Sequence, residues 1–210
     1  IAAISPSTPN VSDNLVANLT NQCVDASTND WRLDGTSIAI RNYSFNKDEG
    51  NSVNSSITDY TSYNTSSSIK SQLVTWLSDG KTGGAREFTG SGGGYIQAGS
   101  NAMNGNFTFS AWIKPYEIDE ILPSGLNKVY GIFSQTTADR FLFIEDQKFR
   151  IQMKDGSNYP TASHPTILSQ NTWYHVAVVK EAFTVKLYVD GVEFVSPTLF
   201  TYSATGTNYI

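Results

Sequence analysis

The sequence predicts an all-β sandwich of antiparallel sheets, preceded by a loop-rich N-terminal segment. From residue 86 onward apolar and polar residues alternate, which is the spacing of half-buried strands. Gly, Asn and Asp residues, which favour turns, separate these runs. Only residues 67–80 carry a pattern with helical spacing. Many short strands joined by turns, with almost no helical pattern between them, are typical of a sandwich.

The composition indicates a folded domain with a polar, weakly charged surface. Of the 210 residues 63 are Ser, Thr or Asn, whereas only 16% are charged. The net charge of −5 argues against a nucleic-acid-binding domain, which needs a basic surface. No apolar run approaches the ~20 residues that span a membrane, so no membrane insertion is expected. The single Cys23 excludes an internal disulfide framework.

Residues 1–80 are expected to form long loops with short strands at residues 15–19, at residues 38–40 and around Tyr60. This segment is rich in Ser, Thr and Asn and has few sustained apolar patterns. Such a long stretch of loop is unusual in a compact domain. The segment is therefore either an insertion or a surface that packs on something else, with Leu15, Val16 and Leu19 expected to contact the sandwich.

One helix is expected over residues 67–80. Ile69, Leu73, Trp76 and Leu77 recur at helical spacing, and Gly80 follows them. A strand over residues 73–77 is the competing interpretation.

Residues 81–210 are expected to hold the main strands. In residues 107–114 alternate side chains fall on one face, and a turn at residues 145–148 predicts a hairpin. Two more strands are expected at residues 173–179 and 184–189. The pair Asp190-Gly191 predicts a type I′ turn into a last hairpin strand, because that turn needs positive φ at both positions.

Several segments of this second part match a known pattern. They read GKTGGAREF at 80–88, GYI at 94–96, FTFSAWIKP at 107–115, NTWYHVAVV at 171–179 and KLYVDG at 186–191. In this order they resemble the laminin-G-like, concanavalin-A-like jelly-roll modules over roughly residues 80–210. The resemblance implies a two-sheet antiparallel jelly roll with one concave sheet. It also implies a mostly non-catalytic module that binds glycans or proteins on exported, surface or virion proteins.

Candidate ligand-binding residues come from one loop and one strand. The loop at residues 154–164 presents Asp155, Asn158, Tyr159 and His164, whose side chains suit sugar hydroxyls; an ordinary solvated loop is the alternative. Trp112 could stack on a sugar face, and core packing is the alternative for it, as for Trp173. His175 is expected to be a structural histidine.

The sequence signals for metal and catalytic sites are weaker. Relatives of this fold often bind calcium at a sheet rim, and Asp139 and Asp155 are the candidate ligands, with turn formation as the alternative. Asp190 is explained by its turn. The related hydrolases place carboxylates in a Glu-x-Asp-x-Glu pattern, but here Glu117 and Asp119 are followed by Ile121. We therefore expect no enzyme and no catalytic residues.

Six Asn-x-Ser/Thr triplets are candidate glycosylation sites if the source glycosylates exported proteins, although a chain this rich in these residues produces several by chance. They begin at Asn10, Asn18, Asn42, Asn54, Asn64 and Asn106.

The expected function is a non-catalytic glycan-binding or adhesion module of an extracellular, cell-surface or virion protein. The alternative is a structural subunit of a fibre, filament, capsid or surface layer, and a glycoside hydrolase is a distant third. The family pattern continues beyond Thr207-Asn208-Tyr209-Ile210 with a closing strand. The sandwich is thus expected to lack its last strand, or to receive it from the N-terminal segment or from a neighbour in a homo-oligomer or filament.

Overall fold

A computed structural model describes the backbone and side chains of residues 41–61, 63–64, 66–89, 93–99, 105–118, 124–125, 128–135, 141–154, 157–201 and 210. For 2–5, 16–19, 32–33, 36–37, 100 and 207–209 it describes the backbone alone. In these residues every regular element is a strand: β1 (Ala2–Ser5), β2 (Val16–Leu19), β3 (Arg32–Leu33), β4 (Thr36–Ser37), β5 (Ser68–Ile69), β6 (Val74–Gly80), β7 (Gly83–Phe88), β8 (Ile96–Ser100), β9 (Phe107–Ile113), β10 (Tyr130–Gln135), β11 (Leu142–Glu145), β12 (Lys148–Gln152), β13 (Thr161–Ser163), β14 (Tyr174–Glu181), β15 (Thr184–Val189), β16 (Val192–Val195) and β17 (Thr207–Tyr209). The described part holds no helix that is long and apolar enough to cross a membrane.

One sheet has four antiparallel strands in the order β16-β15-β14-β9. Asp190 and Gly191 join β15 to β16 with φ angles of 49° and 80°, so the predicted type I′ turn is confirmed. The Asp190 carboxylate also accepts a hydrogen bond from the backbone N–H of His175 at 2.8 Å. That bond holds the turn against the start of β14.

The second sheet has seven strands in the order β13-β12-β11-β10-β17-β8-β5. The predicted hairpin of β11 and β12 is confirmed, and its turn residues Asp146 and Gln147 have φ angles of 52° and 59°. Strand β17 lies inside this sheet, because it pairs with β10 on one side and with β8 on the other. The described sheet is therefore continuous from β13 to β5.

The two sheets enclose one apolar core, which makes the fold a sandwich. The rings of Phe109 in β9 and Phe133 in β10 meet across the sheets with centroids 5.5 Å apart. Val178 and Leu187 of the four-stranded sheet are fully buried in the same cluster as Leu142 and Ile151 of the other sheet. Burying such side chains is the dominant favourable contribution to folding, at about 25 cal/mol per Å² of apolar surface. The predicted all-β sandwich is thus confirmed.

The predicted helix at residues 67–80 is wrong, and the competing strand interpretation is confirmed. Strand β6 pairs with β7, so that Trp76 lies opposite Arg86. Ile69 and Val74 are fully buried in a second, smaller apolar cluster with Ile57 and Ile96. The apolar residues at helical spacing therefore serve strand packing, and pairing of β5 with β8 and of β6 with β7 satisfies their backbone groups.

The N-terminal expectations have mixed outcomes. Strand β2 confirms the predicted strand at residues 15–19, but it pairs with β1 in a separate two-stranded sheet. The side chains of Leu15, Val16 and Leu19 and the expected strand at 38–40 lie outside the described residues. The strand expected at Tyr60 is wrong, because this stretch is loop, held by the Asp59 carboxylate through the backbone N–H groups of Asn42 and Thr61.

Candidate functional site

The solvent side of the four-stranded sheet carries one exposed aromatic ring among small and polar side chains. On β9, Ser110 and Trp112 alternate with residues that pack on the core. In the antiparallel register Trp112 lies opposite His175 and Ser110 lies opposite Ala177. We call this side the outer face; its residues are Thr108, Ser110, Trp112, His175, Ala177, Val179, Lys186, Tyr188, Glu193 and Val195.

Trp112 presents the exposed aromatic ring of the outer face, and it is 44% exposed. Its ring is tilted by 59° against His175, with centroids 5.3 Å apart. The Lys81 ammonium, in the turn between β6 and β7, lies 5.1 Å from the ring centroid. Such a cation–π contact contributes about 0.5–1 kcal/mol at an exposed site. These two contacts orient the indole while part of its surface stays open to a ligand.

The centre of the outer face carries small side chains, and the side that lies farthest from Trp112 carries polar ones. Ser110 and Ala177 are small, and the next residue in that row is Tyr188. The Tyr188 hydroxyl donates to the Glu193 carboxylate at 2.6 Å, and the Lys186 ammonium lies 3.2 Å from the same oxygen. This trio supplies an anion, a cation and a hydroxyl at the edge opposite Trp112.

These hydrogen bonds also set the protonation states of the trio. Hydrogen bonds from Tyr188 and Lys186 lower the pKa of Glu193 below its ordinary value. The same contacts with Glu193 raise the pKa of Lys186 and of Tyr188. Near neutral pH the carboxylate is therefore ionised, so it accepts hydrogen bonds and holds no proton to donate.

The predicted recognition loop is only partly described. Asn158 and Tyr159 lie just before β13 and are exposed, and the Lys154 ammonium lies 5.8 Å from the Tyr159 ring centroid. Asp155 lies outside the described residues. Asn158 and Tyr159 thus precede the edge strand of the seven-stranded sheet, whereas Trp112 lies on the other sheet.

His164 does not lie on the loop surface, because its side chain is fully buried. The backbone N–H of Thr166 donates to its Nδ1 at 3.2 Å, and its Nε2 lies 3.0 Å from the Val192 carbonyl oxygen. With Nδ1 accepting, Nε2 is the donor, so both ring nitrogens are occupied. The expected recognition role is therefore corrected to a structural one, in which His164 links the loop after β13 to β16. Trp112 lies three strands away from β16, at the opposite edge of that sheet.

The calcium site expected from the sequence stays a prediction. Asp139 and Asp155 both lie outside the described residues. Within the described ranges no group of three or more His, Cys, Asp or Glu side chains is placed to hold a metal ion. Of the carboxylates considered for hydrolysis, Glu117 is described, and it pairs with the Lys128 ammonium at 3.2 Å.

The candidate glycosylation sites differ in exposure. Asn54, Asn64 and Asn106 are exposed, whereas Asn42 is half-buried. The Asn106 side-chain oxygen accepts a hydrogen bond from the backbone N–H of Ala182 at 2.8 Å. Asn10 is outside the described residues, and Asn18 is described by its backbone alone.

Sequence reasoning missed most of the outer face. Alternation in residues 184–189 places Lys186 and Tyr188 opposite the buried Val185, Leu187 and Val189, so these two positions could have been found. The approach of Lys81 to Trp112 carries no local signal, because the two residues meet only through the packing of the β6–β7 hairpin against β9.

Comparisons with known proteins give one family match and two similar solved structures. A laminin G family model, described as the concanavalin A-like lectin/glucanases superfamily, matches residues 89–210. No curated protein matches the sequence. Domain 4 of an extracellular GH43 arabinanase from Geobacillus stearothermophilus, solved with arabinotriose, is similar at 16% identity and a TM-score of 0.48, over 73% of this chain and 76% of that one. A protein of unknown function from Shewanella oneidensis MR-1 is similar at 17% identity and a TM-score of 0.41, over 74% and 69%.

The family match covers more than half of the chain, and the two-sheet antiparallel sandwich is the architecture expected from it. The chain belongs to the concanavalin A-like lectin/glucanases superfamily.

Proposed function

We propose that this chain is a non-catalytic glycan-binding or adhesion module of an extracellular, cell-surface or virion protein. The glycan lies on the outer face, with one sugar ring stacked on Trp112. The observation that carries the proposal is this indole, which is 44% exposed although its strand neighbours pack on the core. His175 and Lys81 orient this indole and leave part of the ring exposed, so the apolar face of a sugar can stack on it.

The rest of the outer face suits an extended ligand. Strand β15 lies two strand spacings from β9, which is about 10 Å. A glycan that crosses this distance passes over the small Ser110 and Ala177 and reaches the trio of Tyr188, Lys186 and Glu193. These polar groups offer both donors and acceptors to sugar hydroxyls.

Binding to a broad glycan array, with and without calcium, tests the proposal. A hit is then measured by calorimetry on the protein, on Trp112→Ala and on Phe183→Ala. Phe183 is a matched control, because it is 55% exposed and lies in the β14–β15 turn, outside the outer face. We expect Trp112→Ala to lose binding and Phe183→Ala to keep it. Silence across the array, or equal binding by Trp112→Ala, would contradict the proposal.

A second candidate function is a structural subunit that assembles through strand β16. This strand is an edge of its sheet, and Val192 and Val195 are 59% and 48% exposed, with Leu199 nearby in sequence at 67%. Apolar side chains on an edge strand favour pairing with another chain. Light scattering after size-exclusion chromatography tests this, with Val195→Lys as the disrupting variant and Val53→Lys, at an exposed loop position, as the control. A monomer at all concentrations would count against assembly.

Catalysis and calcium dependence have their own tests. We propose that the chain releases no reducing sugar from β-glucans; sustained release would revive the hydrolase alternative. Calcium enters as an arm of the array, where dependence on the ion would support ligands near Asp139 and Asp155.

A further inference from the structure

We propose that a second site, independent of the outer face, binds a sugar that carries a carboxylate, with a uronic acid as the chemical class. The site is a groove of about 310 Å³ at the β5 edge of the seven-stranded sheet. We call it the serine groove; it is lined by Ser56, Ser66, Ser67, Ser68, Lys70 and Gln97. Its volume is at the lower end of the roughly 300–1,000 Å³ range of small-molecule sites, which suits a single sugar ring.

Strand alternation explains why this groove is polar. Ser66, Ser68 and Lys70 are two residues apart, so they share one side, while Ser67 and Ile69 between them are buried on the other. Ser68 pairs with Gln97 of β8 and bridges to Ser56. Their chain neighbours Ile57, Ile69 and Ile96 are buried in the second apolar cluster. Because these isoleucines point into the core, the polar residues beside them on the three chain segments line the groove on the solvent side.

The polar groups of the groove have few partners within the protein. In the described part of the chain the side chains of Ser56, Ser66, Ser68 and Gln97 make no hydrogen bond to another residue. Ser67 differs, because its hydroxyl donates to the Ile57 carbonyl oxygen at 2.6 Å. Three hydroxyls and one amide therefore remain as donors and acceptors for a ligand, and this set matches the hydroxyls of a sugar.

Lys70 gives the groove its preference for an anion. Its ammonium donates to the Asn54 side-chain oxygen at 3.2 Å, and no carboxylate of the described residues pairs with it. The backbone N–H of Lys70 bonds to the Tyr95 carbonyl oxygen at 3.0 Å, which fixes where the side chain starts. An ammonium with spare donors attracts a carboxylate, and in a chain with a net charge of −5 this local cation is the source of selectivity. No aromatic ring lines the groove, so hydrogen bonding and charge replace the stacking used on the outer face.

Amide NMR titration of the intact chain tests this inference, with D-glucuronate, D-glucose and inorganic sulfate as the probes. We expect glucuronate to shift the amide signals of Ser56, Ser68, Lys70 and Gln97 and to bind about tenfold more tightly than glucose, as one charge-assisted hydrogen bond provides. Lys70→Gln should reduce glucuronate affinity to the level of glucose. Lys47→Gln, at an exposed loop lysine outside both surfaces, should leave it unchanged. The amides of the groove report separately from those of the outer face, so failure of the outer-face proposal is distinguishable from failure here.

Three outcomes would overturn the inference. They are the absence of shifts at the groove, equal glucuronate affinity in Lys70→Gln, and sulfate affinity equal to that of glucuronate, which would mean that the site binds anions without recognising the sugar. If Lys70→Gln fails to give a dispersed amide spectrum, Ser66→Val tests the same groove, since Ser66 is exposed and its hydroxyl has no bond to lose. That variant should weaken glucuronate and glucose alike, and an unchanged affinity for both would refute the role of the hydroxyls.

Discussion

The buried ammonium of Lys180 lies 3.2 Å from the carbonyl oxygen of Gly105, a residue 75 positions earlier in the chain. It also donates to the Ala182 carbonyl oxygen at 2.7 Å, and the Asn106 side chain accepts from the Ala182 N–H at 2.8 Å. Lys180 is only 5% exposed. One side chain thus ties the turn that precedes β9 to the turn that follows β14.

Lys180→Met is expected to destabilise the protein by about 1–3 kcal/mol, because it keeps the apolar stem but leaves carbonyl oxygens without their donor. Chemical denaturation measures the effect. Lys186→Met is the control, since it removes only an exposed ion pair with Glu193, which solvent screens. Equal stability of Lys180→Met and the parent would mean that the cost of burying the ammonium cancels its hydrogen bonds.

Gly84→Ala is expected to destabilise the β6–β7 hairpin by about 1–3 kcal/mol through steric overlap. A Cβ atom at Gly84 would lie 2.5 Å from the Phe45 carbonyl oxygen and 2.6 Å from Trp76 Nε1. These two atoms are partners in a hydrogen bond of 2.8 Å, so the methyl group would push them apart. Gly131→Ala in β10 is the matched control, because no atom lies within 4 Å of its added Cβ. A similar melting temperature for both variants would show that the loop at Phe45 moves away from the added methyl group without a loss of stability.

His164→Leu is expected to cost about 1–3 kcal/mol of folding free energy, because the Val192 carbonyl and the Thr166 N–H lose their partner. His175→Leu is the control, since that ring is partly exposed on the outer face and its loss should change stability by less than about 0.5 kcal/mol. Denaturation curves of the two variants make the comparison. Full stability of His164→Leu combined with lost glycan binding would restore the recognition role that the sequence indicated.

The lowered pKa of Glu193 predicts a specific pH dependence. Because its pKa is lower in the folded chain than in the unfolded chain, the hydrogen bonds to Glu193 contribute to stability above its ordinary pKa of 4.5. That contribution is lost as the pH falls through the folded-state pKa. A carboxyl-detected NMR titration should show the low pKa in the parent and a value closer to the ordinary one in Tyr188→Phe. No difference between the two would show that the 2.6 Å contact is absent in solution.

Strand positions in the second part of the chain could be predicted because their signals are local. Alternation in β9 identifies Phe107 and Phe109 as core residues, and Asp190-Gly191 identifies a turn from two residues alone. The helix at residues 67–80 failed for the opposite reason. Ile69 and Val74 are buried by Ile57 and Ile96, and no local pattern reports contacts with residues so distant in sequence.

In the candidate site, too, local patterns predict some properties and only the tertiary packing decides the others. Trp112 could be named from the sequence, and alternation places it on the face opposite the core. Whether that ring is open depends on what packs over it, and here Lys81 and His175 cover only part of it. His164 looked equally suitable in a polar loop, yet the loop folds it against the Val192 carbonyl and removes it from solvent.

By itself the sequence determined the all-β class, most strands after residue 86 and the side of each strand that is apolar. These properties follow from the alternation of side chains along a strand and from the φ angles that turns require. The tertiary structure alone decided which strands are neighbours: β17 lies between β10 and β8, and Ser56 lies beside Ser68 and Gln97 in one groove. Backbone hydrogen bonds join any two strands equally well, so alternation specifies a face but no partner, and both proposed binding surfaces depend on the partners chosen.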